Sequence, residues 1–223
     1  MISIYVWYTS FSCLNSSIYS VIGDEYMRTR IEGVTERILA CAKSEFLEKG
    51  FQGASIREIA KKAETSPRAI YTRFADKEDL FSAIVRPSAQ DFLQIVENAY
   101  TDNVLGKHPQ QYDITIVKGF VDLMDYIYDY FDEFKLLTTC LVGTEYDDFI
   151  NGIVDMDMKH ESNWEIRKKE TLSGFNLVLQ RMLSKNFYTS LFEPVINDLS
   201  REEARLYIEK FYKFYMRGVE VLI

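Results

Sequence analysis

The chain has 223 residues, of which 47% are hydrophobic, 14% aromatic and 27% charged, so it has enough apolar side chains for a sizeable core and is not a disordered chain. Its ten glycines and four prolines exclude collagen-like and low-complexity chains and disfavour a fold of many short strands. The formal net charge is −8, but residues 27–86 sum to +3 and residues 87–223 to −9. This basic block beside an acidic body is the first indication of function.

The cysteines and histidines predict neither a metal site nor a disulfide framework. Cys13, Cys41 and Cys140 are far apart, and His108 and His160 have no partner at metal-ligand spacing. We therefore expect no metal, no cofactor and a reducing compartment, the cytoplasm. No apolar run reaches the roughly 20 residues of a membrane span, so we expect no membrane partner.

Residues 1–26 form an atypical N-terminal extension. They contain no lysine or arginine, whereas a secretory signal carries positive charge before its apolar region. Neither helical nor strand periodicity is sustained there. Our hypothesis is that native translation starts at Met27; the alternative is a docking segment that packs against the body.

Helical patterns begin just after this extension. Apolar residues from Ile31 to Phe46 recur at helical spacing, and Gly50 suits the left-handed position after a helix. Ser55 and Glu58 match a capping box, which predicts a short second helix.

The third and fourth helices are predicted by their first residues. Pro67 suits the first position of a helix that Ser66 caps, and Asp76 is placed to cap a helix opening at Lys77, which Pro87 kinks or interrupts. Two short helices joined by a tight turn, after a longer helix, form the helix-turn-helix plan. The second short helix is narrow enough to enter the major groove of DNA.

The residues of these helices name a family. Ser55-Ile56-Arg57-Glu58-Ile59-Ala60, then Ser66, Ile70-Tyr71-Thr72-Arg73-Phe74 and Lys77-Glu78-Asp79-Leu80 resemble the N-terminal domain of the tetracycline-repressor (TetR) family of transcriptional regulators. The resemblance covers residues 31–85. Two residues depart from the family pattern, because Glu64 replaces a frequent glycine in the turn and Ala69 replaces a common threonine.

The resemblance implies a set of DNA-binding residues. Tyr71 and Lys77 would contact phosphates, Ser55 and Ser66 would offer hydroxyls at helix starts, and Arg73 would meet a base edge or a phosphate. From chemistry alone, Arg68 is the best candidate to contact guanine, because its fork matches the N7 and O6 acceptors. The predicted DNA-binding residues are Ser55, Thr65, Ser66, Pro67, Arg68, Ala69, Tyr71, Thr72, Arg73 and Lys77.

The acidic body is predicted to contain further helices, over 110–134, 136–142, 145–160, 175–192 and 200–222, with 161–170 as a charged connection or an exposed helix turn. Asp122, Asp125, Asp129 and Asp132 form a stripe on the first of these helices, which we interpret as a solvated face rather than a cation site. A ligand cavity is also predicted, although residues of these types at helical spacing pack more often in cores. Its candidate lining residues are Met124, Tyr128, Phe131, Thr138, Cys140, Trp164 and Phe175.

The last two predicted helices suggest a dimer. Ser200 and Glu203 form a second capping box, and the helix that follows is apolar on more than one side. Such a helix needs a cover from outside its own domain. In the resembled family the two C-terminal helices form a four-helix bundle between subunits, so we expect a homodimer through residues 175–192 and 200–222.

These patterns predict an all-α protein with an N-terminal three-helix helix-turn-helix DNA-binding domain, residues 27–86, and a larger helical ligand-binding and dimerisation domain, residues 87–223. The resemblance implies a dimeric regulator, most often a repressor, that binds a palindromic double-stranded DNA operator. A small apolar or aromatic effector of unknown identity would release it. The alternative is a helical protein–protein interaction module without specific DNA binding. No catalytic signature is present, so we expect no enzyme.

Overall fold

The computed structural model describes residues 33–103, 112–140, 142–168 and 174–221. The predicted extension over 1–26 lies outside the described residues. Over the described residues the structure is all helical, which confirms the predicted fold class. We number the helices in chain order from the first described one. They are α1 (Val34–Gly53), α2 (Ile56–Lys62), α3 (Pro67–Tyr71), α4 (Lys77–Asn103), α5 (Tyr112–Asp129), α6 (Phe131–Thr139), α7 (Phe149–Lys168), α8 (Gly174–Ile196) and α9 (Arg201–Val221).

The described residues group into two compact units. The head unit contains residues 33–91 and 130–148, and the body unit contains residues 92–129 and 149–221. Residues 130–148, which the predicted boundary after residue 86 assigns to the second domain, therefore pack with the head. The functional domain boundaries stay a prediction.

Three phenylalanines form the centre of the head unit. Phe46 of α1 and Phe81 of α4 meet edge to face at 5.2 Å between ring centroids, and Phe51 lies 5.4 Å from Phe81. Helix α6 packs on α1, where the Cys140 thiol donates to the carbonyl oxygen of Phe46 at 3.5 Å. This aromatic cluster fixes the end of α1, which directly precedes the short helices α2 and α3.

In the body unit, α5 packs chiefly against α9, and α7 against α8. Phe120 of α5 anchors the first pair, with its ring 4.9 Å from Tyr212 and 5.1 Å from Phe187. Phe92 of α4 and Phe192 of α8, with ring centroids 5.6 Å apart, join the second half of α4 to this core. Buried aromatic rings therefore account for much of this core, as the aromatic content suggests.

The predicted helix starts are mostly confirmed. Asp76 accepts from the amide of Asp79 at 2.8 Å, and Ser200 and Glu203 bond reciprocally as a capping box. The capping box at Ser55 was wrong, because the Ser55 side chain makes no hydrogen bond to the start of α2. Its backbone is nevertheless extended, as expected for the residue before a helix.

One predicted helix in the acidic body was also wrong in its bounds. The helix predicted over 110–134 is two helices, because the chain breaks at Tyr130, whose φ of −119° and ψ of 40° are not helical. The apolar spacing continues across the break, so periodicity alone could not reveal it. Of the two alternatives for residues 161–170, a connection or an exposed helix turn, the helical one holds for residues 161–168, since charged residues such as glutamate and lysine are good helix formers.

Candidate nucleic-acid interface

The turn between α2 and α3 is built by backbone hydrogen bonds around Glu64. The Thr65 amide donates to Ala60 O at 2.9 Å and the Glu64 amide donates to Lys61 O at 3.2 Å. This pair of bonds is the Schellman arrangement, which places the residue after the helix in the left-handed region. Glu64 has φ 51°, so a side-chain-bearing residue occupies a position that favours glycine.

Replacing Glu64 with glycine is expected to raise the free energy of unfolding by about 0.5–1 kcal/mol, because glycine adopts positive φ without the steric penalty of a Cβ atom. Urea denaturation of the variant and of wild type measures the change. Glu64→Ala is the matched control, since it removes the carboxylate but keeps the penalty. A Glu64→Gly protein no more stable than Glu64→Ala would contradict this account.

Helix α3 is stabilised by Ser66, the residue before it, and by the buried side chain of Ile70. The Ser66 hydroxyl accepts from the amide of Ala69 at 3.2 Å, and Pro67 occupies the first turn, as the sequence predicts. Ile70 is fully buried and fixes one side of the helix. The opposite side is exposed, with Tyr71 54% accessible and Pro67 and Arg68 also exposed.

All ten predicted DNA-binding residues lie in the head unit, in α3, in the turns around it and at the starts of α2 and α4. Six are exposed and four are half-buried, none being buried. The exposed ones are Ser66, Pro67, Arg68, Tyr71, Thr72 and Arg73, and the half-buried ones are Ser55, Thr65, Ala69 and Lys77. Their accessibility is compatible with contact to a ligand, while their individual DNA contacts stay predictions.

The Lys77 ammonium already has protein partners. It donates to the carbonyl oxygens of Gln52 and Ala54, each at 3.3 Å, and lies 4.7 Å above the centre of the Phe51 ring. These contacts tie the start of α4 to the end of α1, beside Ser55. A lysine has three N–H donors, so one remains for the phosphate contact that the resemblance implies, which stays a prediction.

Arg68 and Arg73 present uncompensated positive charge. Neither makes an ion pair with a carboxylate among the described residues, whereas Arg201 and Arg205 of the body unit pair with Asp129 and Asp125. Guanidinium groups without a carboxylate partner are available to an anionic ligand such as the DNA backbone.

A buried carboxylate that sequence reasoning missed lies behind this surface. Glu45 of α1 is fully buried and accepts from Lys49 and from Lys62 of α2, each at 2.7 Å. Hydrogen bonds from Lys49 and then Lys62 lower the pKa of Glu45 to about 2. Its position three residues after Ala42 and seven after Ile38, on the apolar face, was the available signal. The cluster clamps α2 to α1 and neutralises both lysines.

The acidic stripe of α5 and α6 is less solvated than the sequence suggests. Arg205 holds Asp125 through two hydrogen bonds of 2.6 and 2.8 Å, and Arg201 donates to Asp129 at 2.6 Å. Burial raises the pKa of Asp122. Within the described ranges, no three histidine, cysteine or acidic side chains are grouped to hold a metal ion.

The candidate ligand residues are divided between the units. Met124 is buried in the body unit, where the Tyr128 hydroxyl donates to Leu199 O at 2.8 Å. Phe131, Thr138 and Cys140 belong to the head unit, and the Thr138 hydroxyl donates to Phe134 O at 2.8 Å within its own helix. The side chains of Trp164 and Phe175 lie outside the described part of the structure. A shared cavity for this set stays a prediction.

The fold of the head defines the class of the domain. A long helix, a short helix, a tight turn and a second short helix with one exposed face constitute a helix-turn-helix DNA-binding domain. Residues 38–84 match the family model of bacterial regulatory proteins of the tetR family. The head therefore carries a TetR-type DNA-binding domain, which confirms the resemblance inferred from the sequence.

Known relatives match part of this chain. The HTH-type transcriptional repressor AcnR of Corynebacterium glutamicum is 35% identical over 81 residues, which are 35% of this chain and 43% of that protein. The HTH-type transcriptional regulator UidR of Escherichia coli is 39% identical over 59 residues, covering 26% of this chain and 30% of that protein. The chain thus spans less than half the length of these curated relatives.

A solved structure extends the likeness in fold to most of the chain. The crystal structure of a candidate TetR-family transcriptional regulator from Mesorhizobium loti superposes with a TM-score of 0.50 at 16% identity, covering 85% of this chain and 98% of that one. At that identity the likeness concerns the fold alone. Among the helices that the structure describes, none is long and apolar enough to cross a membrane.

Proposed function

We propose that this protein is a dimeric, ligand-responsive transcriptional repressor that binds a palindromic operator through α3. The observation that carries the proposal is the exposed surface of α3 and of the residues just after it. Arg68 and Tyr71 of α3 and Arg73 beyond its end are accessible, and the two arginines have no carboxylate partner among the described residues. The leading residues of a recognition helix contact base edges in the major groove. Arg68 is one of the leading residues of α3, two positions after the Ser66 cap.

The test uses duplexes selected from a pool of randomised palindromes, with a mixed-sequence duplex of equal length as the reference. A specific regulator binds the selected palindrome at least about 1,000-fold more tightly than the reference, with affinity that falls linearly in log–log form as salt rises. Equal affinity for both duplexes would remove the proposal. It would leave the alternative, a helical module that binds another protein.

Dimerisation through α8 and α9 provides the second DNA-binding head, which binds the other half of the palindrome. Both helices carry large apolar side chains that the body unit leaves exposed, including Val178, 71% accessible, and Phe214, 74% accessible. Met182 and Leu206 are about half exposed. Two heads related by a two-fold axis reach half-sites one helical turn apart, or a multiple of it.

Phe214→Glu is expected to weaken the dimer by about 100-fold, because it replaces a large apolar contact with a charge that the interface would have to desolvate. Analytical ultracentrifugation over a range of protein concentration measures the dissociation constant. Val142→Glu is the control, since Val142 is an exposed apolar residue of the head unit, 68% accessible. Unchanged association of the Phe214 variant would exclude α9 as the interface.

The effector is proposed to act by population shift. An apolar or aromatic molecule bound in the body relieves repression only if it binds the non-DNA-binding conformation more tightly, because equal affinity for both conformations shifts nothing. A coupling free energy of about 1–3 kcal/mol corresponds to a roughly 5–150-fold loss of operator affinity. Met124 and Tyr128 are the candidate contacts in the body unit.

A further inference from the structure

The guanidinium group of Arg73 is held in place before any ligand arrives. Its Nε–H donates to the Thr35 hydroxyl of α1 at 3.0 Å, and its Nη1 donates to the Ala69 carbonyl of α3 at 2.8 Å. We propose that Thr35 is a positioning residue for DNA binding: its hydroxyl orients Arg73 so that the free edge of the guanidinium grips a phosphate. This inference rests on the proposed DNA-binding function.

The donors that remain on Arg73 fit an anion. A guanidinium has five N–H donors in a rigid planar fork, and two of them are used by Thr35 and Ala69. The other three, one on Nη1 and two on Nη2, have no hydrogen-bond partner among the described residues, and the side chain is exposed. Because two planar N–H groups match two phosphate oxygens, a fixed guanidinium is suited to bidentate contact with the DNA backbone.

The place of Arg73 in the chain favours a phosphate over a base. Helix α3 ends at Tyr71, so Arg73 follows the helix, whereas base edges are contacted by residues at its start. The bond to Ala69 O keeps the side chain against the trailing end of α3. Backbone contacts of this kind fix the register of a protein on the duplex without reading sequence.

Thr35 contributes to binding by reducing the conformational entropy that the Arg73 side chain loses when it contacts DNA. A free arginine side chain loses much rotamer freedom when it docks on an anion. The bond from Arg73 Nε to Thr35 fixes the plane of the guanidinium in the unbound protein, so less freedom remains to be lost. A purely structural tie between α1 and α3 would use the same bond, and a double-mutant cycle separates the two roles.

The experiment compares wild type with Thr35→Val, Thr35→Ser, Arg73→Gln and the Thr35→Val/Arg73→Gln double variant on the selected palindrome and the mixed-sequence duplex. Thr35→Val is expected to weaken binding to both duplexes about fivefold, as for loss of one oriented hydrogen bond. Thr35→Ser restores it, because serine keeps the hydroxyl. Arg73→Gln lowers the salt slope by about one per subunit, and Thr35→Val adds no further loss in that background.

Three results would overturn the proposal. One is that the Thr35→Val protein binds DNA with the affinity of wild type. Another is that Thr35→Val weakens DNA binding equally in the wild-type and the Arg73→Gln backgrounds. The third is a loss that only follows a lowered unfolding midpoint of the Thr35→Val protein. The exchange rate of the Arg73 Nε–H, measured by NMR on the free protein, separates this failure from failure of the proposed function. If Thr35 protects the Nε–H from exchange but wild type binds no palindrome preferentially, the proposed regulatory function is wrong. The bond from Arg73 to Thr35 is then only a structural contact between α1 and the end of α3.

Discussion

Glu45→Gln is expected to lower the free energy of unfolding by about 2 kcal/mol, because the buried carboxylate is the shared acceptor for two lysines. Oxygens of Glu45 lie 2.7 Å from the ammonium groups of both Lys49 and Lys62. Glutamine has nearly the same shape but no charge, and its NH₂ group would face an ammonium. Urea denaturation, with hydrogen exchange at the amides of Ile59 and Ala60, measures the loss of stability in the head.

Glu48→Gln is the matched control for that substitution. Glu48 also approaches Lys62, at 3.4 Å, but its side chain is 62% exposed. Exposed ion pairs contribute little, so we expect a change below about 0.5 kcal/mol. Equal effects of the two substitutions would show that burial of Glu45 is not what makes its contacts strong.

The contribution of Glu45 also has a defined pH dependence. Its pKa in the folded protein, about 2, is below the ordinary value of 4.5, so folding favours the ionised form. The resulting stabilisation is complete above about pH 4.5 and is lost as the pH falls toward 2. The difference in stability between wild type and Glu45→Gln should therefore narrow over that range. A constant difference would contradict the lowered pKa.

Arg68→Ala is expected to weaken binding to the selected palindrome by about 1–3 kcal/mol, or roughly 5–150-fold, and to relax preference at one base pair of each half-site. The physical reason is the bidentate fit of a guanidinium to the N7 and O6 atoms of guanine. Arg68 is exposed and lies in the first turn of α3, where a recognition helix reads base edges. Competition binding against all single base-pair variants of the palindrome measures both effects.

Tyr71→Phe is the control for the base-reading role of Arg68. The phenol of Tyr71 is 54% exposed, and the resemblance to the TetR family assigns its hydroxyl to a phosphate. Removing that hydroxyl should weaken all duplexes by the same factor and leave base preference intact. If Arg68→Ala also weakens all sequences alike, Arg68 contacts the backbone rather than a base.

Local signals were sufficient to predict the order of helices and turns from α1 to the start of α4. The turn residues, the Ser66 cap, Pro67 and the buried positions of α2 and α3 are set by contacts within a few residues, which a sequence displays directly. Gly50 was correctly expected to adopt a positive φ, and its value is 67°. The motif from Ser55 to Leu80 added the family, because several spaced elements agree.

Non-local contacts were beyond sequence reasoning. Glu45 meets Lys62 across 17 positions and Arg73 meets Thr35 across 38, and neither pairing leaves a periodic signal in a single chain. The break at Tyr130 was hidden because the apolar stripe continues past it. The arginines that pair with the acidic stripe come from α9, more than 70 residues away. Tertiary partners therefore decided the features that were missed.

Methylation interference on the selected palindrome tests the central claim, that the leading side chains of α3 touch bases in the major groove, most directly. Methylation of guanine N7 fills the groove edge that Arg68 would contact. The account predicts that N7 methylation at one guanine of each half-site abolishes wild-type binding, with the two positions on one face of the duplex, and that Arg68→Ala is insensitive to it. Interference confined to minor-groove positions, or identical patterns for wild type and Arg68→Ala, would contradict it.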